Sequence, residues 1–261
     1  MFELLGSDGC RVLKERRIDI EPVRFYFSLR SPFAGIALHR VMHCAEFADV
    51  PFTLFPVWPD IIFGGHMDNP SDNLFKMVYI FQDAARQAEV AGLDNSYLKD
   101  LSQRFAVPQN VDYRRRKLGV EVSEERWEIP HAAMLYARAE GKEWDFAQAL
   151  FARRFGFDGQ AVADILQPET LASVAERVGL DGQQAVEAHA SATIQNALTK
   201  IERSGERDGV FGVPFFVLQR SHGQETFWGN DHLEYLLRSL RGDRSLPVIT
   251  APVLGRSLPT R

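Results

Sequence analysis

Apolar and polar positions change period twice along the chain, giving a strand-rich start, a long helical middle and a strand-rich end. Arg24-Phe25-Tyr26-Phe27-Ser28-Leu29 predicts a first strand over 23–29. Pro32 suits a first helical turn, where a missing N–H is harmless, and a helix is predicted from there to about Ala48. Phe52-Thr53-Leu54-Phe55-Pro56-Val57 predicts a second strand over 52–57, and Pro56 pushes it towards a sheet edge or an early end. From about 66 to 204 the period is helical, with helices expected over Leu74–Ala91, Asp94–Phe105, Ile129–Glu140, Trp144–Phe155, Pro168–Val178 and Gly182–Ser204. Gly92, Gly141, Gly156, Gly179 and Gly205 punctuate this stretch as helix stops. The end, 213–241, reads as β-β-α. An apolar run opens after Val213-Pro214, a short strand Glu225-Thr226-Phe227-Trp228 follows, and an apolar helix comes after Gly229-Asn230-Asp231.

The fold class is therefore α/β, with a β-α-β half and a β-β-α half separated by a large all-helical insertion. The expected division is 22–65 with 205–241 for the sheet domain and 66–204 for the insertion, with extensions at 1–21 and 242–261.

Three motifs carry candidate chemistry. Ser31, just before Pro32, falls at the N-cap of the first helix, and a capping hydroxyl is its plain reading. Val213-Pro214 begins a β-run in a Gly-containing loop, where a cis X-Pro bond serves a tight turn. Lys76, Tyr79, Asp83 and Arg86 lie within about 80° of one another on a helix, one polar stripe whose plain reading is a solvated face with ion pairs. Asp231 by itself is a carboxylate favoured by a helix N-terminus. His39 and His43 have a metal-compatible spacing, but no third ligand stands at a recognisable offset, so no metal is expected.

Taken together, Ser31-Pro32-Phe33, Gly212-Val213-Pro214 and Trp228-Gly229-Asn230-Asp231 resemble the 2-hydroxychromene-2-carboxylate isomerases. These belong with the kappa-class glutathione transferases in the DsbA-like branch of the thioredoxin superfamily. The resemblance covers roughly 23 to 241 and implies a thioredoxin-like fold with a cis Val213-Pro214 bond, in which Ser31 takes the place of the first cysteine of C-x-x-C. It implies glutathione as cofactor, held by Lys76, Tyr79, Val213, Pro214, Asn230 and Asp231, with Ser31 donating to its sulfur. Asn69, in the loop Asp68-Asn69-Pro70-Ser71, is expected to replace an asparagine that the family carries where this chain has Met67. The chain also departs from the family at Ser28, where an acidic residue is common, and at Gly35, where an aromatic is common; Arg30 adds a cation before Ser31. The activity implied is a glutathione-dependent isomerisation of an electrophilic conjugated or aromatic small molecule. The alternatives are a kappa-like glutathione transferase and a non-catalytic DsbA-like binding protein. Related proteins are commonly dimers, so a homodimer is expected.

Composition agrees. The 261 residues are 45% hydrophobic and 25% charged, enough for one large domain or a domain with an insertion. A net charge of −5 disfavours nucleic acid and anionic membrane as partners, and Arg114-Arg115-Arg116-Lys117 reads as a solvated run. Cys10 and Cys44 form no C-x-x-C, so neither a disulfide framework nor dithiol catalysis is expected. Residues 1–21 lack the apolar segment of a secretory signal, and a reducing cytoplasm is the expected compartment.

Overall fold

The computed structural model describes residues 21–57, 74–104, 125–221 and 223–242. Asn69, Met67, Cys10, the Arg114–Lys117 run and all but the innermost residue of each terminal extension lie outside the described residues. The elements run β1 (Val23–Phe27), α1 (Pro32–His43), β2 (Phe52–Pro56), α2 (Leu74–Val90), α3 (Ser96–Arg104), α4 (Glu125–Ala139), α5 (Glu143–Phe155), α6 (Pro168–Arg177), α7 (Gly182–Glu187), α8 (Ala192–Asp208), β3 (Phe215–Arg220), β4 (Gly223–Trp228) and α9 (Leu233–Leu240).

The four strands form one sheet in the order β2-β1-β3-β4, with β1 parallel to β2 and antiparallel to β3, and β3 antiparallel to β4. Pro56 thus ends an edge strand, where no ladder bond is lost on its outer side. Strand alternation sorts the core. Phe25, Phe27, Phe216 and Leu218 pack on one face with α1, α5 and α9. Tyr26, Phe215 and Val217 pack on the other with Leu135 of α4 and Leu198 and Ile201 of α8. Burial on both faces explains why Phe25-Tyr26-Phe27 of β1 reads as a continuous apolar run after Arg24. Gly35 lets α1 approach α5: a Cβ there would stand 2.7 Å from the Phe151 ring and 2.8 Å from the Phe157 ring. Close helix packing thus accounts for the missing aromatic at this position.

Asp208 closes the structure at the far end of the sheet. It is buried at the end of α8, accepts Tyr26 Oη–H and Arg24 Nε–H at 2.6 Å each, and so pins β1 to the helical segment. Burial, then the bond to Asp208, push the Tyr26 phenol well above its ordinary range.

Several boundaries differ from the sequence reading. The helix expected over 182–204 is two helices, because Ser191 is extended (φ −76°, ψ 119°) and restarts the chain as the N-cap of α8. Gly205 is not a helix stop but is buried within α8; the stop is Gly209, which takes a left-handed φ of 70°. The last helix before β3 therefore ends at Asp208 rather than at Ser204. Helix α4 begins before Ile129 and tolerates Pro130 near its start. Helix α1 ends at His43, where Cys44 turns extended.

Candidate active site

Strand register brings the sequence motifs to one end of the sheet. Tyr26 pairs with Phe215 and Phe215 with Trp228, so the exit of β1, the entry of β3 and the exit of β4 lie side by side. The segments 28–31, 212–214 and 229–231 occupy that end. The exit of β2 joins them, where Val57 N–H donates to Phe27 C=O at 2.8 Å. The Val213-Pro214 bond is cis, and Pro214 C=O accepts Gly229 N–H at 2.9 Å, tying the two turns together. Val213 lies outside the β3 ladder, and no described residue bonds its backbone N–H or C=O.

Ser31 is the N-cap of α1: its backbone is extended (φ −95°, ψ 117°), and its Oγ accepts Ala34 N–H at 3.3 Å. A hydroxyl has two acceptor lone pairs and one donor, so capping leaves the hydroxyl hydrogen free to point at a ligand. Pro32 has no N–H, and the first-turn donors with the helix dipole make this end electropositive. Ser28 builds the turn before it, its C=O accepting Ser31 N–H at 3.0 Å and its Oγ accepting Arg30 N–H at 3.3 Å.

On the facing turn, Asn230 is buried and both ends of its side-chain amide are bonded. Arg40 of α1 donates to Asn230 C=O (2.7 Å) and Oδ1 (3.2 Å), while Asn230 Nδ2 donates to Gln87 Oε1 of α2 (2.6 Å). These bonds make Asn230 a brace between α1, α2 and the turn before α9. Asp231 beside it stays exposed, with His232 Nδ1 at 3.5 Å. Gly229 is favoured here by its φ of 100°, a backbone conformation that other residues rarely adopt.

The α2 stripe divides in two. Lys76 and Tyr79 are exposed, Tyr79 at 60%. Asp83 and Arg86 form an intrahelical ion pair at 3.6 Å, and Asp83 also accepts Gln87 Nε2–H at 2.8 Å. Through Gln87 and Asn230 the stripe is coupled to the Asp231 turn.

A model of the DSBA-like thioredoxin domain matches residues 22–241. The chain belongs to the DSBA-like thioredoxin family. Among solved structures it is similar to 2-hydroxychromene-2-carboxylate isomerase (21% identity, TM-score 0.60, covering 85% of this chain and 95% of that one). It is also similar to a probable DsbA oxidoreductase from Streptomyces coelicolor (17%, 0.53, 88% and 93%) and to the cytosolic disulfide reductase DsbM from Pseudomonas aeruginosa with GSH (16%, 0.51, 87% and 100%). No curated protein matches the chain.

This DSBA-like chain has no cysteine in Ser31-Pro32-Phe33-Ala34. Cys44 follows the other end of the 12-residue α1, about 18 Å away by helical rise. Burial raises its thiol above the ordinary value, and its Sγ–H donates to Glu46 Oε2 at 3.3 Å. The His39 and His43 rings lie tilted with centroids 4.4 Å apart, and no group of three metal-ligating side chains occurs among the described residues.

His131, buried within α4, is a residue the sequence did not single out. Its Nε2 accepts Leu29 N–H at 3.3 Å and its Nδ1 lies 2.6 Å from Trp127 C=O, which assigns the neutral Nδ1–H form. Burial pushes its pKa down to about 4. A neutral acceptor under Leu29 holds the loop that presents Ser31. Nothing in local sequence marks His131, Arg40 or Gln87, because their partners are 102, 190 and 143 positions away. A polar cavity of about 610 Å³, lined by Arg24, Asp208 and Gln224 among others, lies at the opposite end of the sheet. It is remote from Ser31, and Arg24 and Asp208 are already paired there.

Proposed function

We propose that this protein is a glutathione-dependent isomerase of an electrophilic conjugated small molecule. The observation that carries the reading is Ser31, with its spare hydroxyl hydrogen, standing at the helix N-terminus where redox relatives have a cysteine, at the same sheet end as the open Val213 backbone. Those features fit a short peptide thiol. Val213 N–H and C=O would pair with its backbone, as an extended segment adds to a sheet edge. Exposed Lys76 and Asp231 have the signs to meet its carboxylate and ammonium ends, with Tyr79 beside Lys76 and Asn230 bracing the Asp231 turn. Asn69, five positions before α2 in the sequence, is included as a further donor.

Bound there, glutathione would supply a thiolate that adds to the conjugated double bond and leaves again, so that the bond turns while single. The chain's own part is to hold the sulfur ionised. A free thiol has a pKa of about 8.5, and a helix N-terminus lowers such values. The Ser31 hydroxyl adds a hydrogen bond to the anion, and each unit of lowering is worth about 1.4 kcal/mol. Ser31 is a donor, not the nucleophile.

A disulfide reductase is disfavoured by the absence of cysteine from 31–34. A kappa-like transferase uses the same thiolate but retains the conjugate. Mass spectrometry of products from a panel of cis-enones with glutathione separates the two. The isomerase gives product of unchanged mass with glutathione regenerated; accumulation of product heavier by one glutathione assigns a transferase. Absence of glutathione binding at millimolar concentration assigns a binding protein. The same reading places the protein in a reducing cytoplasm, as a homodimer.

A further inference from the structure

The cavity of about 610 Å³ at the Arg24 end of the sheet takes no part in the thiol chemistry, and its volume suits a small molecule. Strand register builds one wall. Arg24 pairs with Val217, and two positions further on Gln219 pairs with Gln224, so Arg24, Gln219 and Gln224 share one face of the sheet. The Arg24 side chain is only 15% exposed, and its Nε–H donates to Asp208 Oδ2 at 2.6 Å. Arg207 Nε–H donates to the other Asp208 oxygen at 3.5 Å. The Asp208 side chain is fully buried and also accepts Tyr26 Oη–H, so one carboxylate orients two guanidiniums and is itself closed to a ligand. Neither Nη of Arg24, nor Nη1 of Arg207, bonds a described residue. The acceptors are also held. Gln219 Nε2 donates to the Arg220 and Gly223 carbonyls at 3.2 Å each, and Gln224 Nε2 to Asp208 C=O at 3.5 Å. Each amide nitrogen is thus spent within the protein, and each Oε1 has no donor among the described residues. Arg220 is matched by Glu225 and Ser239. Exposed Glu21 carries the one lining carboxylate without a described partner. Arg24 and Arg207 therefore balance Asp208 and Glu21. A lone anion gains little from walls of no net charge, whereas a molecule carrying both signs finds a partner for each.

We infer that this cavity binds a small zwitterion, a free amino acid, at a site separate from the Ser31 end. The carboxylate meets the Nη edge of Arg24, a planar fork suited to two parallel bonds, with Arg207 beside it. The ammonium has three donors and no acceptor, and it meets Gln219 Oε1, Gln224 Oε1 and the Glu21 carboxylate. Binding here needs nothing from the thiol chemistry and holds whether or not glutathione binds at the other end of the sheet.

The probes are the common amino acids, each titrated into the full chain at millimolar concentration and followed by calorimetry. At least one should bind. Its C-terminal amide and its N-acetyl derivative, each lacking one charge, should bind about tenfold more weakly. Arg207→Met and Glu21→Gln, altered at exposed side chains, should each weaken it roughly threefold to tenfold with the melting temperature held. Arg24→Lys should weaken it further; if that change in a buried pair abolishes the thermal transition, the two surface variants carry the test. No binding by any amino acid, or wild-type affinity in both surface variants, overturns the site. An N-acetyl derivative that binds as well as the parent, with loss on amidation alone, marks a plain carboxylate site and overturns the zwitterion. Affinity lowered by Lys76→Ala but not by Arg207→Met puts the amino acid at the Ser31 end and overturns the separate cavity.

Discussion

At the scale of single residues, capping and catalysis are compatible uses of one hydroxyl. Ser31 Oγ accepts from Ala34 and still has a proton to give. The plain reading of that serine was correct, and the chemical reading stands beside it. His131 makes a second residue-scale prediction. Its pKa of about 4 lies below the ordinary 6.5, so between these values the unfolded chain takes up a proton that the folded chain refuses. Stability is therefore full above pH 6.5 and falls as the pH drops towards 4, by on the order of 3 kcal/mol. Urea unfolding at pH 7.5 and 4.5 should show this loss in wild type and much less of it in His131→Gln. Equal pH dependence in the two proteins would remove His131 as the buried neutral acceptor under Leu29. For the charged ends of the peptide, Lys76→Ala and Asp231→Ala should each weaken glutathione binding roughly tenfold to a hundredfold, the value of a charge-assisted bond, with the melting temperature held. A variant that unfolds but binds normally per folded molecule marks its residue as structural.

At the scale of elements, Asn230 shows what a sequence conceals. The run Trp228-Gly229-Asn230-Asp231 was legible as a motif, and the turn lies where strand register puts it. That the amide is spent on Arg40 of α1 and Gln87 of α2 was not legible, because those contacts span 190 and 143 positions. The α2 stripe was likewise visible as helical spacing, while its division into an exposed Lys76–Tyr79 end and a paired Asp83–Arg86 end depends on what packs nearby. The break at Ser191 was missed because the polar–apolar period runs through it; only the extended backbone there separates α7 from α8. The brace yields its own prediction. Arg40→Ala leaves Asn230 without two of its bonds and should cost about 1–3 kcal/mol of stability. It should also weaken glutathione binding although Arg40 is not assigned to the ligand. Calorimetry on Arg40→Ala that returns wild-type affinity would show that the Asp231 turn needs no bracing.

At the scale of the whole molecule, the sheet and its helical insertion were readable because β1, β3 and the intervening helical period are strong local signals. The order β2-β1-β3-β4 then carries the functional argument, since it gathers the ends of β1, β3 and β4. The opposite end is held by Asp208, and its loss would leave Tyr26 and Arg24 without their buried acceptor. Asp208→Ala should therefore destabilise by about 3–5 kcal/mol in urea unfolding, while Arg207→Ala, at a mostly exposed side chain, should cost little. The central claim is that this sheet end ionises a bound thiol. It is tested most directly by titrating the thiolate absorbance near 240 nm of glutathione saturating the wild-type protein and the Ser31→Ala variant. The account predicts a wild-type midpoint one to two units below the free thiol's value of about 8.5, and a midpoint displaced back towards it in Ser31→Ala. Bound glutathione that titrates like the free thiol in wild type, or identically in the two proteins, contradicts it.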